Sequence, residues 1–344
     1  MSDAIELGVD TFGDVTIAAN GRPLTQAETL RHVVEQGALA DAVGLDFFGV
    51  GEHHRPDFSI SAPEVVLAAI ASRTSHIRLG SAVTVLSTDE PVRVFQRFST
   101  LNAISGGRAE VILGRGSFTE SFPLFGFDLG QYEELFEEKL NLFVELLKGT
   151  PVTWSGRLRA PLEERVVYPP AETGTLRTWV AVGGSPESVV RAAYYGLPLM
   201  LAIIGGSPQR FAPWTELYRE RLTRFDKPLQ PIGVHSPGHV ADTDEHAKEE
   251  LWPHYADLMN RIGRERGWPP IGRGQFEQAA GPDGALYVGS PETVAAKIAA
   301  TMKALGLTRF DLKYSNGTLP HDTLMKSIEL YGTKVVPLVR ERLA

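Results

Sequence analysis

Short apolar runs alternate along the chain with longer segments in which apolar residues recur every three or four positions. The first run, Ile5 to Thr11, precedes a segment of helical spacing from about Gln26 to Val43. Such alternation predicts parallel strands joined by crossover helices. Eight runs predict strands, beginning near residues 5, 47, 77, 109, 178, 199, 232 and 310. Further helices are predicted over Pro63–Thr74, Pro91–Ile104, Gln131–Leu147, Gln209–Phe225, Glu245–Arg266, Pro291–Leu305 and His321–Arg342.

Eight strand-helix units in one chain predict an α/β fold, a single (β/α)8 TIM barrel over residues 1–344. An open doubly wound sheet is less consistent, because Phe12-Gly13-Asp14-Val15 after the first strand is no glycine fingerprint. Two insertions are expected. One, at about 150–177, contains a hairpin of Val152–Trp154 and Arg165–Tyr168, and the other is the Gly/Pro-rich stretch 267–289.

Composition excludes several classes of partner. The 344 residues include 34 Lys and Arg against 42 Asp and Glu, a net charge of −8, and no long basic run, so we expect neither nucleic acid nor anionic lipid as a partner. No apolar stretch approaches the roughly 20 residues that span a bilayer. The start, Met1 to Glu6, is acidic where a signal peptide is basic, so we expect a cytoplasmic protein. The absence of cysteine excludes disulfides and thiolate chemistry.

Functional groups of such a barrel lie where the strands end, on the loops that follow. The second predicted strand ends in Glu52-His53-His54-Arg55, and since neighbouring side chains alternate in direction, one of the two histidines can face the barrel axis. That histidine is a candidate acid or base near neutral pH. The alternative is a polar strand end bonded to loop backbone.

Two other strand ends are typical of anion sites. In the segment Gly114-Arg115-Gly116-Ser117, the two glycines let the backbone come close to a ligand. The arginine offers two parallel N–H donors to a phosphate or carboxylate. Gly183-Gly184-Ser185-Pro186-Glu187-Ser188 has the residues of a capped helix N-terminus with free backbone N–H groups. A structural arginine and a ligand-free cap are the alternatives.

Other chemistry has little support in the sequence. Loop 118–127 carries four phenylalanines that suit either an apolar ligand wall or core packing. The histidines show no H-x-H at a strand end and no H-E-x-x-H, and His235 and His239 lie on a segment broken by Pro237, so we expect no metal. No G-x-S-x-G serine elbow occurs.

Over nearly its whole length the chain resembles the bacterial-luciferase-like flavin-dependent monooxygenases. The order and spacing of several short motifs carry the resemblance. They are Gly51-Glu52-His53-His54, Gly80-Ser81-Ala82-Val83-Thr84-Val85-Leu86, Glu90-Pro91-Val92-Arg93, Ile104-Ser105-Gly106-Gly107-Arg108, Gly114-Arg115-Gly116, Gly196-Leu197-Pro198, Val288-Gly289-Ser290-Pro291-Glu292-Thr293-Val294 and Asn316-Gly317-Thr318.

The resemblance implies a (β/α)8 barrel that binds FMN at its C-terminal face. By position, the FMN phosphate site corresponds to Arg115 and the helix start with Gly184, Ser185 and Ser188. A non-prolyl cis peptide beneath the flavin ring corresponds to Ala82-Val83. His53 corresponds to the family's active-site histidine.

Two departures qualify the resemblance. Gly114 stands where the luciferases have a reactive cysteine, so light emission is not implied. Glu133 falls near a second phosphate arginine of the luciferases, which alters the expected charge at the phosphate.

The leading hypothesis is a monooxygenase that uses O2 and reduced FMN, supplied by a separate flavin reductase, to oxidise a small apolar organic substrate. The alternatives are a hydride-transfer enzyme that uses the deazaflavin F420, a non-catalytic flavin-binding protein, and a sugar-phosphate enzyme. The helix Pro91–Ile104 is apolar around much of its circumference, which predicts a homodimer.

Overall fold

The computed structural model describes residues 5–18, 20–172 and 174–344. Most of the acidic start, Met1 to Ala4, lies outside the described residues, so the structure does not bear on that part of the sequence. Among the described helices, none is long and apolar enough to span a bilayer.

The described chain alternates strands and helices as the sequence predicts. The strands are β1 (Glu6–Thr11), β2 (Phe47–Val50), β3 (Arg78–Ser81), β4 (Thr84–Val85), β5 (Ala109–Gly114), β6 (Val152–Trp154), β7 (Leu162–Arg165), β8 (Arg177–Val182), β9 (Leu199–Ala202), β10 (Ile232–Val240), β11 (Tyr287–Gly289) and β12 (Arg309–Lys313). The helices are α1 (Gln26–Ala42), α2 (Pro63–Ala71), α3 (Pro91–Ile104), α4 (Ser121–Phe125), α5 (Tyr132–Leu147), α6 (Pro186–Tyr195), α7 (Ala212–Arg224), α8 (Asp244–Arg266), α9 (Arg273–Ala280), α10 (Pro291–Leu305), α11 (His321–Leu330) and α12 (Val336–Leu343), with a π-helical turn at Tyr331–Val335.

Eight parallel strands close into a barrel. They follow one another in the order β12, β1, β2, β3, β5, β8, β9 and β10, and pairings of β10 with both β9 and β12 complete the circle. Each of these strands corresponds to one predicted strand-helix unit. The predicted (β/α)8 fold is therefore confirmed.

Helix starts follow from local sequence. Ser185 caps α6 by accepting a hydrogen bond from the Ser188 backbone N–H at 3.3 Å, and Ser290 caps α10 in the same way through Thr293. In both helices a proline follows the cap in the first turn. Thr25 and Glu28 form a reciprocal capping box at α1. Short-range signals thus fix where the helices around the barrel begin.

Charged groups fill the N-terminal part of the barrel interior. The Arg309 guanidinium is fully buried, bonds to Glu110 and lies 2.9 Å from Asp311 Oδ2. Its carbon lies 3.8 Å from the centre of the Phe47 ring and 4.9 Å from that of Trp179. Phe47 and Trp179 belong to a small separate core with Ile112 and Met200. Side chains therefore close this end of the barrel.

Three local predictions differ from the structure. The second hairpin strand is Leu162–Arg165, not Arg165–Tyr168, because a Glu164 N–H bond to the Thr153 hydroxyl at 3.0 Å sets the register earlier. The third predicted strand is divided into β3 and β4. The stretch 267–289, predicted as an insertion, contains α9 and β11, two elements that the sequence did not predict, and β11 pairs with β10. The limits of the two insertions stay predictions.

Helix α3 does not support the argument made for a dimer. Its apolar residues Val94, Phe95, Phe98 and Leu101 are buried within the single chain. At the end of the helix, Ile104 is 59% exposed, and the small Ala103 beside it is exposed as well. Since the chain covers this face itself, α3 calls for no second subunit.

Candidate active site

The candidate site lies at the C-terminal ends of the barrel strands. There β1, β2 and the break between β3 and β4 approach closely. A Cβ placed on Gly49 would lie 3.0 Å from the Cβ atoms of both Ala82 and Asp10, so only glycine lets the three strands meet here. A Cβ on Gly114 would lie 2.7 Å from Val83. Glycines thus bring backbone and side chains together around Ala82 and Val83.

The Ala82–Val83 peptide bond is cis, as the resemblance implies. Backbone bonds on both sides hold it: the Ala82 N–H donates to Val50 at 2.8 Å, and the Glu52 N–H donates to Val83 at 3.1 Å. The buried Glu52 carboxylate also accepts the Val85 N–H at 2.9 Å. It pairs in addition with His54 at 2.9 Å. Of the two adjacent histidines, His54 therefore helps to hold Glu52, and through it the backbone next to the cis peptide.

The His53 ring, in contrast, lies among three phenylalanine rings. Its ring lies 4.7 Å from that of Phe12, 4.5 Å from that of Phe58 and 5.2 Å from that of Phe118. Its side chain is 11% exposed, and Nδ1 lies 3.8 Å from a Glu120 carboxylate oxygen. Burial acts to raise the pKa of Glu120, but the bond to His53, a backbone hydrogen bond and the charges of His53 and Arg55 together lower that pKa overall.

Charged and aromatic residues pack beside His53. Two guanidinium groups contact Phe118 of the Phe-rich loop, with Arg55 4.7 Å and Arg266 5.1 Å from its ring centre. Arg55 also bonds Glu265 of α8 at 2.9 Å. Of the four loop phenylalanines, Phe118 contacts His53, whereas the buried Phe122 packs on Tyr132. The loop thus contributes one phenylalanine to the candidate site and another to the core.

The structure brings the predicted anion-binding residues together. Arg115, after β5, forms an ion pair with Glu133 of α5. Ser185 and Ser188 lie at the start of α6, where the Ser185 hydroxyl donates to that of Ser188 at 2.7 Å. Gly184 adopts φ +115°, a conformation that favours glycine, and frees the backbone before the helix.

Arg115, Glu133 and the start of α6 form a group that is called the anion corner below. A second arginine, which was not predicted from the sequence, also belongs to it. Arg191 of α6 lies 3.3 Å from the other carboxylate oxygen of Glu133 and 3.5 Å from the Ser188 hydroxyl. It also pairs with Glu137. Its position three residues after Ser188 on one helix face was the signal available in the sequence. Two cations, a helix N-terminus and two hydroxyls therefore converge.

A hydrogen-bonded pair inside the C-terminal opening of the barrel, called the mouth below, was also not predicted from the sequence. His235 of β10 places Nδ1 2.7 Å from Oδ2 of Asp10 on β1. The Asp10 side chain is fully buried, and its Oδ1 has no hydrogen-bond partner among the described residues. The sequence analysis considered His235 only as a metal ligand paired with His239. An aspartate partner so distant in sequence left no local signal.

A third cluster lies on the outer helices. His32, Glu35 and His321 bring ligand atoms within 4.8 Å of one another. The two imidazole rings, however, stack 3.9 Å apart at an angle of 14°. Nearly parallel stacked rings cannot both direct a nitrogen lone pair at one ion. His321 also bonds Gln36 at 3.1 Å. The cluster is a stacked histidine pair and supports no metal site.

The chain belongs to the luciferase-like monooxygenase family, whose model matches residues 11–309. It is 23% identical to an alkanal monooxygenase alpha chain of Photorhabdus luminescens, over 96% of this chain and 97% of the relative. It is 28% identical to an N-acetyl-S-alkylcysteine monooxygenase of Bacillus subtilis, over 68% and 67%. These findings confirm the resemblance in the sequence and the class of enzyme that it implies.

Solved structures share the fold. A monooxygenase from Streptomyces bottropensis superimposes with a TM-score of 0.83 at 21% identity, covering 97% of this chain and 99% of that one. The oxygenating constituent of 3,6-diketocamphane monooxygenase from Pseudomonas putida, in complex with FMN, gives 0.75 at 20%, covering 97% and 98%. A coenzyme F420 dependent tetrahydromethanopterin reductase from Methanopyrus kandleri gives 0.72 at 19%, covering 97% and 99%.

Proposed function

We propose that this protein is an FMN-dependent monooxygenase that oxidises a small apolar organic substrate with O2. The observation that carries the proposal is the anion corner at which Arg115, Arg191 and the N-terminus of α6 converge. A helix N-terminus and a guanidinium fork are both suited to a phosphate group. The corner belongs to the same barrel end as the cis peptide and His53.

Features of the chain fit the cofactor. Both arginines already hold an anion, the Glu133 carboxylate, which is 59% exposed and can give way to a phosphate. A Cβ on Gly183 would meet nothing within 4 Å, so there is space beside the helix start. Val83, packed against Gly114, provides an apolar surface for a flat ring. Ala82, Val83, Gly184, Ser185 and Ser188 are the other residues proposed to hold FMN.

The division of tasks follows from this placement. Reduced FMN, delivered by a separate flavin reductase, supplies the electrons with which O2 is activated. Arg115, Arg191 and the α6 N-terminus bind the phosphate. Phe118 and the Arg55–Glu265 pair exclude water from the mouth. His53, as the proposed catalytic residue, exchanges a proton at its imidazole.

FMN binding tests the proposal. Arg115→Ala should weaken FMN binding about 10-fold to 150-fold in a fluorescence titration, since a charge-assisted bond contributes about 1.5 to 3 kcal/mol. Arg157→Ala is the matched control, because Arg157 also pairs with a glutamate of α5, Glu134, but is exposed. Unchanged affinity in Arg115→Ala would place the phosphate elsewhere.

Catalysis is tested by consumption of NADH and O2 with FMN, a generic flavin reductase and a panel of aldehydes, alkanes, sulfonates and terpenoid ketones. Product oxygenation above the reductase background supports the proposal. FMN binding without any oxidised product would favour the non-catalytic flavin-binding protein.

The second candidate is an F420-dependent hydride-transfer enzyme, since F420-dependent enzymes share this fold. The phosphate of F420 is a diester with a single negative charge, whereas FMN ends in a monoester that carries up to two. Two arginines at a helix N-terminus suit the greater charge. Parallel titrations with the two cofactors decide between them, and tighter binding of F420 would reverse the assignment.

Two further predictions from the sequence are carried into the proposal. A homodimer is proposed from the family resemblance alone, since α3 is covered by its own chain; light scattering near 38 kDa at micromolar concentration would contradict it. A cytoplasmic location, with no nucleic acid, membrane or metal as partner, stays a prediction.

A further inference from the structure

We propose that His235, oriented by Asp10, is a second acid–base group of the site, in addition to His53. The inference rests on the proposed monooxygenase function. It concerns residues that neither the family match nor the motifs of the sequence identify.

Strand register places the pair inside the barrel. Gly8 is in register with Asp311, and a Cβ on Gly8 would lie 2.6 Å from Asp311 Oδ1, so this row of residues faces the interior. His235 is in register with the same Asp311. Asp10, two residues beyond Gly8, faces inward as well. The pair therefore lies between the buried charged layer and the mouth.

The geometry is that of an oriented imidazole. Because a carboxylate only accepts, Nδ1 of His235 carries the proton that is donated to Asp10 over 2.7 Å. In the neutral ring Nε2 is then a free base, and it bonds to no described residue. The side chain keeps 12% exposure. A proton acceptor is thus available to a molecule in the mouth.

Two observations separate this pair from a purely structural one. Asp10 Oδ1 is buried without a partner, and a carboxylate that served only to fix the fold would be expected to satisfy both oxygens. Asp10 also converges with Ala82 over Gly49, which connects the pair to the cis peptide. The charge of Asp10 is therefore placed beside the proposed flavin site.

His53 and His235 both lie near the ring of Phe12. The Phe12 ring centre is 4.7 Å from that of His53 and 6.0 Å from that of His235, with which it is nearly parallel at 18°. The two histidines are therefore neighbours across a single aromatic side chain. One proton donor and one acceptor can act on the same bound molecule.

The proton balance of the reaction gives His235 a defined task. Overall, one oxygen atom of O2 enters the substrate and the other leaves as water, and bound reduced FMN would supply the two electrons and two protons that this requires. Nε2 of His235 would accept one of these protons and donate it to the departing oxygen. Nδ1–H stays with Asp10, which keeps its negative charge, so the pair ends the cycle unchanged.

Several charged groups surround His235. Asp10 faces it from β1, and Asp311 and Lys313 belong to β12. His53 lies near the same Phe12 ring, while the in-register residue on β9 is Ala202. The ammonium of Lys313 lies 4.6 Å from the Phe12 ring centre and pairs with Asp14 at 3.1 Å. Among the described residues, Asp10 is the one whose side chain bonds to the His235 ring.

The first test needs no cofactor. NMR of the 15N-labelled protein reports which ring nitrogen of His235 carries the proton, with its resonances assigned from His235→Gln. Removing the acceptor in Asp10→Ala should shift the ring towards the Nε2–H tautomer by about threefold or more. An unchanged tautomer ratio would mean that Asp10 does not hold the imidazole.

The second test follows oxidation of bound reduced FMN by O2 in stopped flow across pH. His235→Gln should slow it 10-fold or more and remove one pH-dependent step, with FMN affinity within threefold of the unmodified protein. His239→Gln is the matched control, because His239 of the same strand pairs with Glu250 at 2.9 Å outside the mouth. Equal rates and pH profiles in His235→Gln and the unmodified protein would overturn the proposal.

Failure of the proposed function gives a different result. In that case FMN does not bind in the fluorescence titration, whatever tautomer of His235 the NMR test shows. If FMN binds but both histidine variants lose the same activity and stability, His235 is a structural residue and this inference alone fails.

Discussion

Arg115 and Arg191 bind opposite oxygens of one carboxylate, that of Glu133. The first arginine follows β5 and the second lies on α6, after the neighbouring strand β8. The resemblance in the sequence implies a cation near the position of Glu133. The structure has a second cation, Arg191, at the same corner, with Glu133 between the two arginines.

Glu133→Gln should therefore tighten FMN binding. Removing the carboxylate charge frees both guanidinium groups for a phosphate, and we expect affinity to rise about 3-fold to 10-fold in a fluorescence titration, of the order of 1 kcal/mol. Glu134→Gln, which affects only the exposed pair with Arg157, should leave affinity unchanged. Weaker binding in Glu133→Gln would show that Glu133 is needed to position the arginines.

His53→Ala should reduce turnover roughly 100-fold or more and leave FMN affinity within a few-fold. The ring contacts phenylalanines and Glu120 but no residue of the anion corner, so its loss should act on the chemical step. The exposed His76→Ala serves as control. Equal losses of turnover and affinity would make His53 a structural residue.

Arg309→Met should destabilise the fold by about 3 to 5 kcal/mol in urea denaturation, because it leaves the buried carboxylate of Asp311 without its cation and that of Glu110 with Arg177 alone. Arg340→Met, which breaks an exposed pair with Asp46, should cost about 1 kcal/mol or less. If Arg309→Met does not fold, Arg309→Lys should fold with reduced stability. Equal stability of the Arg309 and Arg340 variants would contradict the prediction.

The capping box of α1 should make stability depend on pH. Arg22 and Thr25 lower the pKa of Glu28 to about 2 from its usual value near 4.5. Since the folded pKa is depressed, this contribution is complete above about pH 4.5 and is lost as the pH falls towards 2. The Tm difference between the unmodified protein and Glu28→Gln should therefore shrink over that interval. A difference that is constant with pH would exclude the carboxylate as its source.

Features encoded within a few residues were predictable. The cap Ser185-Pro186-Glu187 fixes the start of α6, and the apolar runs mark all eight barrel strands. The second hairpin strand was misplaced, because its register depends on a single side-chain bond from Thr153. Strand β11 was missed, since three residues carry too little pattern to distinguish them from a loop.

The site was predictable where its residues stand at strand ends or match a motif, as with Arg115, Ser185 and the Ala82–Val83 peptide. Arg191 and the Asp10–His235 pair were not, because their importance comes from neighbours distant in sequence. Net charge and residue spacing do not predict such long-range contacts. Asp10 on β1 and His235 on β10 come together only because both strands pair with β12 in the closed sheet.

The buried layer around Arg309, Phe47 and Trp179 fills the N-terminal end of the barrel in the part of the chain that the structure describes. A molecule that enters the barrel from the C-terminal end, where Phe118 lies, then has to leave by the same end. Two molecules that share such a route cannot exchange independently: the one seated deeper has to arrive first and depart last. The order of arrival and release is thus determined by the closed end of the barrel, far from any reacting atom.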